Sequence, residues 1–158
     1  MYLNKKFGRQ RSKLMRLFQK TKDGGKDSTV DAFFLIELKG LFSVALLRFN
    51  KSSRVNYHSH AFNAFTWFLS GDMVEHRLSN NSVTVKETKY KRSVFPKVTS
   101  KDNLHKVIAN ETSWCFTIRG PWSDQWVEFN QERLEKITLT HGRKVVKVEE
   151  LKDIIKVV

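Results

Sequence analysis

Tyr57-His58-Ser59-His60 is the first segment whose residue types and spacing can do chemistry. In extended backbone, residues i and i+2 point to the same side. His58 and His60 therefore project together, with Tyr57 and Ser59 opposite. Two imidazoles a few ångströms apart can chelate one divalent ion. A His-X-His pair alone is equally the mark of two polar histidines on an edge strand. His76 lies one strand later, alternating with Val74, and is a candidate to face the same interior. Arg119 shares a strand face with Thr117 and Cys115. If that face is interior, a buried guanidinium needs an anion, either a ligand carboxylate or phosphate or a protein acid such as Glu128 or Asp124. Trp122, beside Pro121, suits a rim position and stacking on a ring. Trp67, Trp114 and Trp126 read as core. His141 reads as turn chemistry, and Cys115 as a structural thiol with no base argued beside it.

These side chains need a scaffold, and the pattern of the chain predicts one built from strands. Ala32–Lys39, Leu41–Phe49, 54–60, Ala64–Ser70, Met73–Leu78, 82–88, 104–109, Ser113–Arg119 and 125–129 are short and rich in Phe, Val, Ile, Thr and Trp. Gly40, Gly71, Asn80-Asn81 and Gly120-Pro121 separate them. Short strands at close, regular spacing predict an antiparallel sandwich or barrel over residues 27–158. Two segments read differently. Residues 1–26 place Leu3, Phe7, Leu14, Leu17 and Phe18 on one helical face and end at Asp23-Gly24-Gly25. Leu151, Ile154, Ile155 and Val158 predict a short C-terminal helix over 149–158.

Composition narrows the class. The chain has 158 residues with 29 Lys+Arg against 16 Asp+Glu, a net charge of +13. The length suits one domain, and the charge points to anionic partners such as nucleotides, nucleic acid or phospholipid. Residues 1–26 hold nine Lys/Arg and one acid, Asp23. That arm reads as a solvated helix docked on the barrel, as a nucleic-acid contact through Lys5, Lys6, Arg9, Arg11, Lys13 and Arg16, or as a membrane-surface helix. Cys115 is the single cysteine, which excludes an intramolecular disulfide and a multi-cysteine zinc site. No apolar region follows Lys6, so no secretory signal is expected. No apolar run approaches the roughly 20 residues that span a bilayer. The expected location is cytoplasmic. Phosphate loops, nucleophile elbows, His-Glu-X-X-His and dinucleotide fingerprints are all missing, which argues against kinases, serine hydrolases and dehydrogenases.

The spacing around His58 and His60 resembles the first motif of the cupin superfamily: His-X-His, three residues, a Glu, six residues, then a Gly. Here Ala61-Phe62-Asn63 follows His60, Ala64 stands at the Glu position, and Phe65–Ser70 leads to Gly71. Phe95-Pro96, an insert, and His105 resemble the second motif. The stretch from Ser113 to Trp122, with Trp126 and Phe129 behind it, is similar to the tail of small cupin-like proteins of bacteriophages. The resemblance covers roughly Asp31 to Asn130. It implies an all-β, double-stranded β-helix (jelly-roll) barrel and makes His105 the third ligand beside His58 and His60. His105 shares a strand face with Val107 and Ala109. The resemblance also implies a divalent ion: Fe, Zn, Mn or Ni.

Ala64 departs from the family's carboxylate ligand. Three imidazoles without a carboxylate still make a competent set, since zinc on three histidines keeps a fourth position open. The resulting expectation is a small metal-binding cupin, an oxygenase- or isomerase-type enzyme if catalytic, acting on a small anionic ligand near Arg119, Trp122 and His76. If the protein is phage-encoded, its location is the host cytoplasm. The competing expectation is a nucleotide- or nucleic-acid-binding protein that uses the basic arm, with the barrel as scaffold. A homodimer is compatible with either.

Overall fold

The computed structural model describes residues 15–53, 56–78 and 85–150. Among them the backbone is all β, with one three-residue 3-10 turn at His141–Arg143 and no α-helix. A six-stranded sheet runs in the order β1 (Met15–Lys22), β2 (Val30–Leu38), β3 (Phe42–Phe49), β11 (Ser113–Arg119), β6 (Ala64–Ser70), β9 (Lys97–Thr99). The second sheet runs β14 (Lys144–Glu150), β13 (Glu135–Thr140), β12 (Gln125–Asn130), β5 (Tyr57–His58), β10 (His105–Ala109), β7 (Met73–Leu78), β8 (Val85–Tyr90). The short β4 (Ser52–Ser53) also pairs with β10. From β6 onward the chain passes repeatedly between the sheets: β6, β9 and β11 lie in one, and β7, β10 and β12 in the other. Strands that alternate between two facing antiparallel sheets make a jelly-roll arrangement.

The sheets bury Val30, Ala32, Phe34, Ala45, Leu47, Phe68, Met73 and Cys115 between them. β11 shows how the faces are chosen. Cys115, Thr117 and Arg119 point inward and are buried, while Trp114 and Phe116 are half-buried and Ile118 is exposed outside. Trp67 and Trp114 are thus not core residues as expected. The outer face instead carries a cross-strand row, Phe33–Leu46–Phe116–Trp67, in which aromatic and aliphatic side chains cover one another. Aromatic size alone does not reveal which side of a strand is interior. Gly71, between β6 and β7, has φ +95°, and a Cβ there would lie 2.1 Å from Ser113 Oγ. Only glycine fits that turn.

Both expected helices need correction. Residues 15–22 form an edge strand, not a helix, because their cations meet acids on β2. Arg16 stands opposite Glu37 with Nε 3.2 Å from Oε2. Lys22 stands opposite Asp31 at 2.9 Å, with Lys20 3.8 Å from the same carboxylate. Lys20 and Lys22 share the outer face with Phe33 and Asp31, and Arg16, beyond the positive φ of Phe18, faces Glu37 on the other side; that pairing overrides a weak helical period. Asp23-Gly24-Gly25 lies in the hairpin connection to β2. Residues 1–14 lie outside the described residues, and so do Lys5, Lys6, Arg9, Arg11 and Lys13 with the part of the helical arm they were assigned to. At the other end, Glu149 and Glu150 close β14, where Val145, Val146 and Val148 favour extended backbone. The rest of the expected helix, residues 151–158, lies outside the described residues. Among the described residues no helix is long and apolar enough to cross a membrane.

Candidate functional site

Between the sheets lies a cavity of about 370 Å³. Its histidine end belongs to the eight-stranded sheet. His58, on β5, stands directly opposite His105 on β10 in the antiparallel ladder. His60 follows two residues after His58 on the same side. The three rings close a triangle, with centroids 4.9–5.1 Å apart. Their ligand atoms all fall within 4.8 Å of one another. Nε2 of His60 and Nε2 of His105 are 2.7 Å apart, the spacing of nitrogens that share a proton. His58 and His105 are buried and His60 is half-buried at the cavity wall.

Behind His105 stands Glu75 on β7, which is 1% exposed. Its Oε1 meets Nδ1 of His105 and Nζ of Lys97, and its Oε2 accepts from Tyr90 Oη at 2.9 Å. Burial alone would raise the Glu75 carboxyl, but His105 and Lys97 together hold it well below the usual carboxylate range. Burial pushes His105 down, so its neutral ring is favoured. A neutral His105 donating Nδ1–H to Glu75 keeps the lone pair on Nε2, turned towards the other two rings. This donor set fits a divalent ion: three imidazoles converge and one tautomer is fixed from behind.

The other end of the cavity belongs to the six-stranded sheet. Arg119, 3% exposed, closes the inner face of β11 opposite Ala64 on β6. Its Nη1 and Nη2 donate to the two oxygens of Asp23 at 3.3 and 2.7 Å. The guanidinium carbon lies 4.7 Å from the Phe62 ring and 5.7 Å from the Phe34 ring. Phe62 also stacks on His60 at 5.4 Å, so one ring links the two ends. Trp122 sits at the wall between Phe62 and Trp126, with Lys39 Nζ 4.6 Å from its ring.

The structure thus brings His58, His60 and His105 together, with Arg119 and Trp122 lining the same cavity. His76 does not join them. Met73 and Glu75 take the inner face of β7, so His76 points the other way, its Nε2 3.5 Å from Glu87 on β8. Arg119 is paired with neither Glu128, which holds Arg143 at 2.6 Å, nor Asp124, which lies 3.6 Å from His141. Arg16 faces Glu37 rather than standing clear as a phosphate contact. Burial pushes the Cys115 thiol up to about 12, as befits a structural thiol beside Met73. Glu75, Lys97, Phe62 and Asp23 were missed. The alternation used for His76 could have found Glu75, since it places one of the two residues inside. Asp23 gave no local signal beyond its glycines.

No protein-family model and no curated protein matches the chain. Solved structures do match. A sugar phosphate isomerase from the cupin superfamily, from Silicibacter pomeroyi, is 11% identical over 87% of this chain and 88% of its own, with a TM-score of 0.52. HppE in its Fe(II) form with substrate is 12% identical over 64% of this chain, with a TM-score of 0.50. Oxalate decarboxylase from Bacillus subtilis is 9% identical over 69%, also at 0.50. The match spans 55% of HppE and 29% of oxalate decarboxylase. At these identities the likeness shows the fold: the two sheets are those of a cupin-like barrel.

Proposed function

We propose that this protein is a metal-dependent cupin-type enzyme in which His58, His60 and His105 hold one divalent ion and the cavity binds a small anionic ligand. The observation that carries the reading is the convergence of three imidazoles on one wall of the cavity, with Glu75 fixing His105 from behind. Three neutral ligands leave coordination positions open towards the cavity. An ion held there supplies Lewis-acid polarisation of a ligand oxygen or, if it is iron, oxidation chemistry. The chain's own residues do the rest. Arg119 orients the anion, Trp122 and Phe62 exclude water, and Glu75 keeps the third imidazole in its coordinating tautomer. Among the structures similar in fold, one is an Fe(II) protein, and two are named for sugar phosphate and oxalate, both small anions.

Elemental analysis of the purified chain, before and after chelation and after reloading with Fe(II), Zn, Mn or Ni, tests the ion. About one equivalent per chain is expected, lost on His105→Ala. A chain that retains none of the four metals at micromolar concentration overturns the reading.

A further inference from the structure

We propose that the carboxylate of Asp23 is an internal stand-in for the ligand, and that the ligand is a small carboxylate that displaces it from Arg119. This rests on reading the cavity as a small-anion site, and it names the class of anion.

Arg119 is the most deeply buried cation of the cavity, yet its partner comes from a surface turn. Its side chain is 3% exposed, against 33% for Asp23. Four other cations around the cavity are engaged with acids elsewhere, and Lys39 lies over the Trp122 ring. Arg16 faces Glu37, Lys22 faces Asp31, Lys97 faces Glu75 and Arg143 faces Glu128. Those acids are on strands of the sheets. Asp23 follows the end of β1 and precedes Gly24 and Gly25, both at positive φ, 101° and 108°. Asp23, Gly24 and Gly25 themselves line the cavity. A displaced carboxylate that is one-third exposed regains water, whereas the guanidinium beneath it must keep an anion.

The slot has a shape. With Phe34 and Phe62 against the guanidinium, acceptors reach it along its N–H edges, in the plane. Asp23 already shows the fit, two oxygens on two nitrogens, the fork geometry that a planar carboxylate satisfies. A tetrahedral phosphate would push its remaining oxygens out of that plane towards the rings. The Arg119 Nε is buried and has no hydrogen-bond partner among the described residues. One donor of the guanidinium is therefore left unsatisfied by the described residues.

The test is calorimetric titration of the full chain with benzoate and with inorganic phosphate, on chelated protein and again after zinc loading. Removing the internal competitor should tighten benzoate binding about tenfold in Asp23→Asn. Arg119→Met should abolish it, and phosphate should bind at least tenfold more weakly than benzoate. Should Asp23→Asn fail to fold, the wild-type chain decides. Benzoate should raise its melting temperature in a dose-dependent way, and Arg119→Met should remove that rise. Unchanged benzoate affinity in a folded Asp23→Asn overturns the exchange, and so does benzoate binding that survives Arg119→Met. Phosphate binding as tightly as benzoate overturns the choice of ligand. Because the first titration is made on chelated protein, its outcome stands apart from that of the metal loading.

Discussion

At one end of the cavity, His58 and His105 face each other across a single ladder and His60 is two residues away. At the other end, Arg119 is held by an acid 96 positions earlier in the chain. The histidine end lies within one sheet and is braced from behind by buried Glu75. The arginine end joins a central strand to the turn after an edge strand. The first is built to hold one geometry, and the second, on the exchange proposed above, gives up one carboxylate for another. Such a division suits a fixed centre that must accept a ligand from outside.

The largest effects should separate the two ends. His58→Ala or His105→Ala should weaken divalent-metal binding on the order of 100-fold or more, because the donor set itself is reduced. Arg119→Met should leave metal content within about twofold of wild type. Elemental analysis after gel filtration reads both, and metal loss in Arg119→Met would show that the ends are not independent. Next in size is deletion of residues 1–26. It removes β1, uncovers the backbone edge of β2 and strips Glu37, Asp31 and Arg119 of partners. The melting temperature should fall by about 10 °C while zinc stoichiometry is kept. An unchanged melt would show that β1 adds nothing to the sheet.

The histidine end was legible in the sequence because its information is local. His-X-His spacing, Gly71 and the strand pattern around 64–70, 73–78 and 113–119 all rest on period two and turn chemistry. His105 was reached only through likeness to a family motif, and even so Glu75 behind it was passed over in favour of its neighbour His76. The arginine end was half legible. Alternation put Cys115, Thr117 and Arg119 on one face but left open whether that face was interior, and it did not give the partner of Arg119. A pairing between Asp23 and Arg119 leaves no trace in local periodicity. The segment before it also suggested a helix, because Leu14, Leu17 and Phe18 fit a helical face until Arg16 and Lys22 are placed opposite the acids of β2. Trp67 and Trp114 on the outer face misled in the same way, since burial is decided by the second sheet rather than by the strand.

A smaller effect sharpens the histidine end alone. Glu75→Gln keeps the shape of the side chain but removes the charge that holds the Nδ1 proton of His105. Zinc affinity should fall about tenfold, in the range seen when such supporting contacts are lost. Tyr90→Phe, which removes one hydrogen bond to Glu75, should cost less. Competition with a chromophoric chelator measures both. Equal losses in the two variants would mean that Glu75 acts through packing and not through the imidazole proton.

The smallest effect concerns how β1 is fastened at the arginine end, and it depends on pH. Asp31 is 2% exposed beneath Lys20, Lys22 and Arg48, with Arg48 Nη2 2.6 Å and Lys22 Nζ 2.9 Å from its oxygens. Hydrogen bonds from Lys22 and then Arg48 hold its carboxyl down from 3.8 to about 2. A carboxyl depressed in the folded state stabilises above its unfolded value and loses that contribution as pH falls through the folded one. Asp31→Asn should therefore be less stable than wild type at pH 7 by a margin that is constant down to about pH 5. The margin should shrink between pH 4 and 2, where the wild-type carboxyl takes up its proton and comes to resemble the amide. Urea midpoints at pH 7, 4, 3 and 2 follow it. Zinc affinity at pH 7 should be the same in both proteins, because Asp31 touches only the sheet that carries Arg119. A margin that persists at pH 2 would mean that the amide at this position disturbs packing rather than charge. A shift in zinc affinity would mean that the fastening of β1 reaches across the cavity to the histidines.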